Sequence, residues 1–156
     1  MTTSDTISFR LRRPSSPLPT AVDFYSGPNT EAAFAWERFG GKSLSEAYDF
    51  FMEAPEIWGE DFAWMFPKAF EYYFPVVDKY LREIDEDGDL VSCSDDAWIF
   101  GCRIASQFHW KDGTKPPTYV VDEIADLSSF IKTQYRDERE VMDSWSKVDR
   151  EVDNCR

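Results

Sequence analysis

Apolar positions along this chain recur mostly at steps of three and four, the spacing of helices with one buried face. Ala32, Ala33, Trp36 and Phe39 form the first stripe, which predicts a helix over Thr30 to Phe39. Asn29 or Thr30 can cap its start, and Gly40-Gly41 supplies the left-handed conformations that end it. A second helix follows at once. Ser43-Leu-Ser-Glu46 is a capping box, in which the Ser43 hydroxyl accepts from the Glu46 amide and the Glu46 carboxylate reaches back. Leu44, Ala47, Tyr48 and Phe51 share its apolar face, and Pro55 ends the pattern. The two helices make an αα-hairpin.

The densest stretch runs from Trp58 to Leu81 and holds nine aromatics. Asp61 starts a short turn through Met65, and Pro67 suits the first position of a helix. Phe70, Tyr73, Phe74, Val77, Tyr80, Leu81 and Ile84 then continue one register across Pro75, which predicts a kinked helix rather than a broken one. A polar loop over Asp85 to Ser94 leads to a helix capped by Ser94, with Trp98, Gly101, Cys102, Ala105 and Phe108 facing inward. Tyr119 to Val121 fits a short strand. From Asp122 the pattern is helical again, through Ile124, Leu127, Phe130 and Ile131, then Val141, Trp145, Val148 and Val152. The charged stretch Arg136 to Glu140 leaves open one long helix or two.

The first twenty residues differ in kind. Ile7, Phe9 and Leu11 alternate with Ser8, Arg10 and Arg12, a short strand signal, before Pro14, Pro17 and Pro19 forbid regular structure. Residues 1–20 therefore form a flexible or edge-strand arm, and residues 21–156 one globular helical domain. Its arginines, Arg10, Arg12 and Arg13, can dock on an acidic face of the same chain. The fold class is mainly α, a single-domain helical bundle with an αα-hairpin, a Pro-kinked aromatic helix, a long C-terminal helix and room for one short N-terminal β-strand or hairpin.

With 17 basic against 30 acidic residues the net charge is −13. Such a charge disfavours direct binding to nucleic acid and favours a basic protein partner. Three scattered cysteines, with no CxxC, fit a reduced, cytoplasmic protein, and no apolar run is long enough to span a membrane.

Several chemistries are excluded or weak. Gly41-Lys42-Ser43 looks like the end of a phosphate-binding loop, but that pattern needs glycine where Trp36 stands. Glu83, Asp85 and Asp87, followed by Gly88, resemble a calcium loop whose twelfth position is Ser94 where a bidentate Glu belongs. The one histidine, His109, lacks a GxSxG elbow, and the cysteines lack zinc spacing. The sequence nominates no catalytic residue and no cofactor, and leans away from an enzyme.

The acids are unevenly spread. Glu83 to Asp96 contains seven acidic residues and Glu53 to Asp61 four, with no Lys or Arg in either stretch. Acids around an aromatic anchor make a steering surface for a basic partner. The candidate partner-binding residues are Glu53, Glu56, Trp58, Glu60, Asp61, Asp85, Asp87 and Asp89. A solubilising charged rim is the plainer alternative. Phe39 to Leu81, with Phe39-Gly-Gly, Glu60-Asp-Phe62 and Pro67-x-Ala-Phe-x-Tyr-Tyr-Phe-Pro75, resembles a group of small uncharacterised bacterial proteins. Size, acidity and aromatic content are also similar to toxin-immunity proteins. That likeness implies an acidic protein-binding module, an immunity-type or nucleic-acid-mimicking inhibitor of a basic protein. The rival expectations are a small-ligand-binding protein or enzyme with an aromatic-lined pocket between Trp58 and Tyr80, and a homo-oligomeric scaffold that buries the Val141-Trp145-Val148-Val152 stripe against a second copy.

Overall fold

A computed structural model of the chain describes residues 8–11, 13, 17–24, 30–110 and 112–156. The fold is mainly helical. Its helices are α1 (Thr30–Phe39), α2 (Leu44–Phe51), α3 (Pro55–Trp58), α4 (Pro67–Arg82), α5 (Ser94–Ser106), α6 (Thr118–Gln134) and α7 (Arg139–Asn154). A 3₁₀ turn, Gly59–Trp64, joins α3 to α4. Among the described residues there is no strand, only an isolated bridge between Ile84 and Leu90. Ile7, Arg12 and the candidate cap at Asn29 lie outside the described residues, and Ser8 to Leu11 take no strand conformation. Tyr119 to Val121 belong to the first turn of α6. The charged stretch separates two helices, because α6 ends at Gln134 and α7 starts at Arg139. The Tyr135 hydroxyl, 3.1 Å from Ser92 O, ties that break to the loop before α5.

The Ser43–Glu46 capping box forms as the spacing requires, with Glu46 N 3.2 Å from Ser43 Oγ and Ser43 N 3.0 Å from Glu46 Oε1. Gly41 has φ +76°, a conformation that costs a Cβ-bearing residue about 1 kcal/mol or more. The two hairpin helices lean on different neighbours: α1 packs on the 3₁₀ turn and α2 on α4. Tyr73 of α4 closes the end of α1, its hydroxyl 2.6 Å from Phe39 O, which also accepts from Lys42 N at 3.2 Å, and 2.9 Å from Lys42 O in the turn that follows.

Around α4 the core is aromatic. Phe39, Phe51, Phe62, Tyr73, Tyr80 and Phe100 are all buried. Their rings meet edge to face or tilted, as in Phe51–Tyr80 at 5.2 Å and Phe39–Phe62 at 5.4 Å. Against this lies a second layer of α5, α6 and α7. Gly101 of α5 lets α7 come close, since a Cβ there would stand 2.1 Å from Ser144 Oγ. In return Ser144 Oγ donates to Trp98 O at 2.9 Å and Trp145 Nε1 to Ala97 O at 2.8 Å. Val141, Trp145, Val148 and Val152 are all buried by α5 and α6. The stripe predicted to receive a second copy is thus covered within the chain.

Pro75 sits inside α4, which runs unbroken from Pro67 to Arg82. A proline there has no N–H for the carbonyl of Glu71, four residues back. Arg13 supplies the missing donor, with Nε 2.8 Å from Glu71 O. Its other nitrogens pair with Glu123 of α6, the closer at 2.7 Å. Arg10 docks beside it on the buried carboxylate of Asp78 at 2.8 Å, which also accepts from Arg82 Nε at 3.0 Å. The described part of the arm therefore closes over α4 and α6 through charge.

Candidate functional site: an acid-rimmed face over α3 and α5

The first acid cluster divides on folding. Glu53, Glu56 and Glu60 are exposed. Asp61 is not, because the 3₁₀ turn points it inward, where its Oδ1 accepts from Arg38 Nη1 at 2.7 Å. Trp58 is corrected too. Its ring stacks on Phe50 at 5.0 Å, and the Arg38 guanidinium lies 4.8 Å above it, so it belongs to the packing and is not a free anchor. Both residues are drawn in by tertiary contacts, Asp61 to Arg38 and Trp58 to Phe50 and Arg38, which a run of four acids and one Trp does not reveal.

In the second cluster Asp85, Glu86, Asp87, Asp89 and Asp95 are exposed. The loop tip is a self-capped turn, with Asp85 Oδ1 accepting from the amides of Asp87 at 2.9 Å and Asp89 at 3.0 Å. Glu83 turns away from it to Lys79 Nζ at 3.2 Å and the Tyr48 hydroxyl at 3.2 Å. Glu83, Asp85 and Asp87 therefore do not converge. Among the described residues no group of three His, Cys, Asp or Glu side chains is placed to hold a metal ion.

The 3₁₀ turn that ends the first cluster packs on α5, whose first turn carries Asp95 and Asp96 of the second. Phe100 of α5 packs at Gly59, where a Cβ would stand 3.1 Å from its ring. Arg103 reaches Glu60 at 3.5 Å. Near the start of α5, Tyr80 donates to Asp96 Oδ2 at 2.6 Å. Burial pushes the Tyr80 phenol far above its ordinary value, the bonded Asp96 carboxylate raises it further, and the charge of Glu56 adds to the same field. The 3₁₀ turn thus packs on α5, with Gly59 at Phe100 and Glu60 toward Arg103, and α3 leans on that turn.

The sequence misplaced the apolar part of this face. In α5 the buried residues are Ala97, Phe100, Gly101 and Ile104. Trp98, predicted to face inward, is 42% exposed, with Ile99 and Cys102 exposed on the same stripe. Ile57 of α3 adds a 55% exposed side chain. The helix cap is also one residue earlier, at Cys93, whose amide lies 3.4 Å from Asp96 Oδ2. Apolar residues occupy every face of Ala97 to Cys102, so periodicity alone cannot choose the phase. The close approach of Gly101 to α7 chooses it.

Between Trp58 and Tyr80, where a ligand pocket was expected, stand the packed rings of Phe51, Phe62 and Phe100. His109 is an exposed residue past the end of α5, its Nε2 2.8 Å from Glu151 Oε1. Among the described residues no helix is long and apolar enough to cross a membrane. Comparison of the chain with family models, with curated proteins and with solved structures returns no match.

Proposed function

We propose that this chain is a protein-binding module whose α3–α5 face receives a basic protein, in the manner of an immunity-type or nucleic-acid-mimicking inhibitor. The observation that supports the reading is that the chain exposes both large apolar side chains, Ile57, Trp98 and Ile99, and many acids, Glu53, Glu56, Asp95 and the loop Asp85 to Asp89. Each part has a physical role. Like charges near a low-dielectric surface steer an oppositely charged protein into encounter, while the apolar centre supplies the contact that slows dissociation. Trp98, not Trp58, is the aromatic anchor on this reading, since tryptophan contributes most where a partner can desolvate it.

The test is the association rate of a protein that the wild-type chain retains. Replacing Glu53, Glu56, Asp85, Asp87 and Asp89 by their amides should slow association about tenfold or more at low ionic strength and flatten its salt dependence. Trp98→Ala should act on dissociation. Association that is equally fast and equally salt-dependent after neutralisation rejects the reading.

A further inference from the structure

Beside the acid-rimmed face lies a pocket of about 250 Å³, lined by Glu31, Phe34, Arg38, Glu60, Asp61 and Trp64. Three of these are carboxylates and one is a cation. Arg38 is already engaged: it donates to Asp61 Oδ1, and its guanidinium lies between the Phe34 ring at 5.5 Å and the Trp58 ring at 4.8 Å. The remaining oxygen is the unusual feature. The Asp61 side chain is only 4% exposed, yet Oδ2 is buried with no hydrogen-bond partner. A buried carboxylate oxygen without a donor costs free energy that folding alone does not recover. Consistently, burial pushes the Asp61 carboxyl above its ordinary range, Arg38 works against that rise, and Glu60 adds to it.

We infer that this pocket takes one organic cation, the guanidinium or ammonium head of a basic side chain, with Asp61 Oδ2 as its buried acceptor. The chemistry follows from the lining. Two or three N–H donors on the ligand would satisfy Oδ2 and the rim carboxylates of Glu31 and Glu60, as charge-assisted hydrogen bonds. Phe34, 44% exposed, and Trp64 offer ring faces against which such a cation or its aliphatic stem can lie. A metal ion fits less well, since Arg38 is fixed on the other Asp61 oxygen and two aromatic rings line the wall. A neutral ligand would leave the surplus negative charge uncompensated. The inference rests on reading the adjoining face as a partner surface, with the pocket receiving an Arg or Lys side chain of that partner. Its chemistry can nevertheless be tested without the partner.

The probes are N-acetyl-arginine amide and N-acetyl-lysine amide, with N-acetyl-citrulline amide as the uncharged isostere of the first. Each is titrated into the full chain at physiological salt, observing the Trp64 indole and the Asp61 amide by nitrogen–proton NMR. The expected result is saturable shifts at both positions with at least one cationic probe, and binding of the citrulline probe at least about tenfold weaker. Asp61→Asn should weaken binding by about tenfold or more. Should that variant fold poorly, Glu31→Gln with Glu60→Gln, at two exposed positions, should weaken binding severalfold. Neutralising Asp85, Asp87 and Asp89 should leave it unchanged, because that loop is screened at this salt. No saturable shift, equal binding of the citrulline probe, or equal weakening by the loop variant overturns the inference. The two proposals also fail separately. A partner retained equally by wild type and Asp61→Asn, but lost on neutralising the face, removes the pocket and keeps the face. Specific cation binding without any retained partner does the reverse.

Discussion

Arg13 Nε donates to Glu71 O at 2.8 Å, and Glu71 is the residue whose carbonyl Pro75 deprives of its helical partner. A side chain 58 residues away in sequence thereby completes the backbone of the central helix. The pairing also explains how a buried proline is tolerated in α4 without ending it.

A double-mutant cycle should expose this coupling. Arg13→Gln removes an ion pair with Glu123 and a donor to Glu71, and should cost about 2–4 kcal/mol in urea denaturation. In a Pro75→Ala background the restored amide can serve Glu71, so the same change should cost about 1 kcal/mol less. Strict additivity would show that the two residues act independently.

Asp78 holds the arm from the other side. It is 1% exposed and accepts from both Arg10 and Arg82. Asp78→Asn should cost about 3 kcal/mol, since it removes the buried counter-charge of both guanidinium groups and leaves them only the exposed Asp126. The same variant should be cut more readily by trypsin after Arg10, whose docking depends on that carboxylate.

Gly101 is set by packing rather than by backbone conformation. Gly101→Ala should destabilise the protein by about 1–3 kcal/mol, because the new methyl meets Ser144 Oγ and lies 3.0 Å from Trp145 Nε1. In a Ser144→Gly background part of that cost should disappear. Thermal or urea unfolding of the four variants measures the difference.

Asp61 predicts a pH dependence of defined sign. Its folded value is raised above the unfolded one near pH 3.9, so its contribution to stability is full below that pH and is lost as pH rises through the folded value. Asp61→Asn lacks this titration. The stability of wild type relative to Asp61→Asn should fall as pH rises from about 3 toward neutrality. A difference that is flat, or that grows with pH, would mean that the bond to Arg38 outweighs burial.

How much of this was legible in the sequence varies by element. The Ser43–Glu46 box and Pro67 at the first turn of α4 are local rules, and each appears where its residues predict. Val141, Trp145, Val148 and Val152 lie on one face of any helix, so the buried side of α7 was readable, although its partner was not. The phase of α5 was hidden because apolar residues surround it, and only Gly101 against Ser144 resolves it. Glu60 and Asp61 are neighbours of the same charge, yet one is exposed and the other buried. What separates them is Arg38, brought over the 3₁₀ turn by tertiary packing that no local pattern encodes. The acid clusters were visible in the sequence, whereas the packing of the 3₁₀ turn on α5 was not.

The central claim is charge-steered capture by the α3–α5 face. It is tested most directly with wild type and the chain neutralised at Glu53, Glu56, Asp85, Asp87 and Asp89, used as paired baits in one lysate of the source cells and read by mass spectrometry. The account predicts a basic protein retained by the wild type and absent, or strongly depleted, from the neutralised bait. Identical lists from the two baits would contradict it.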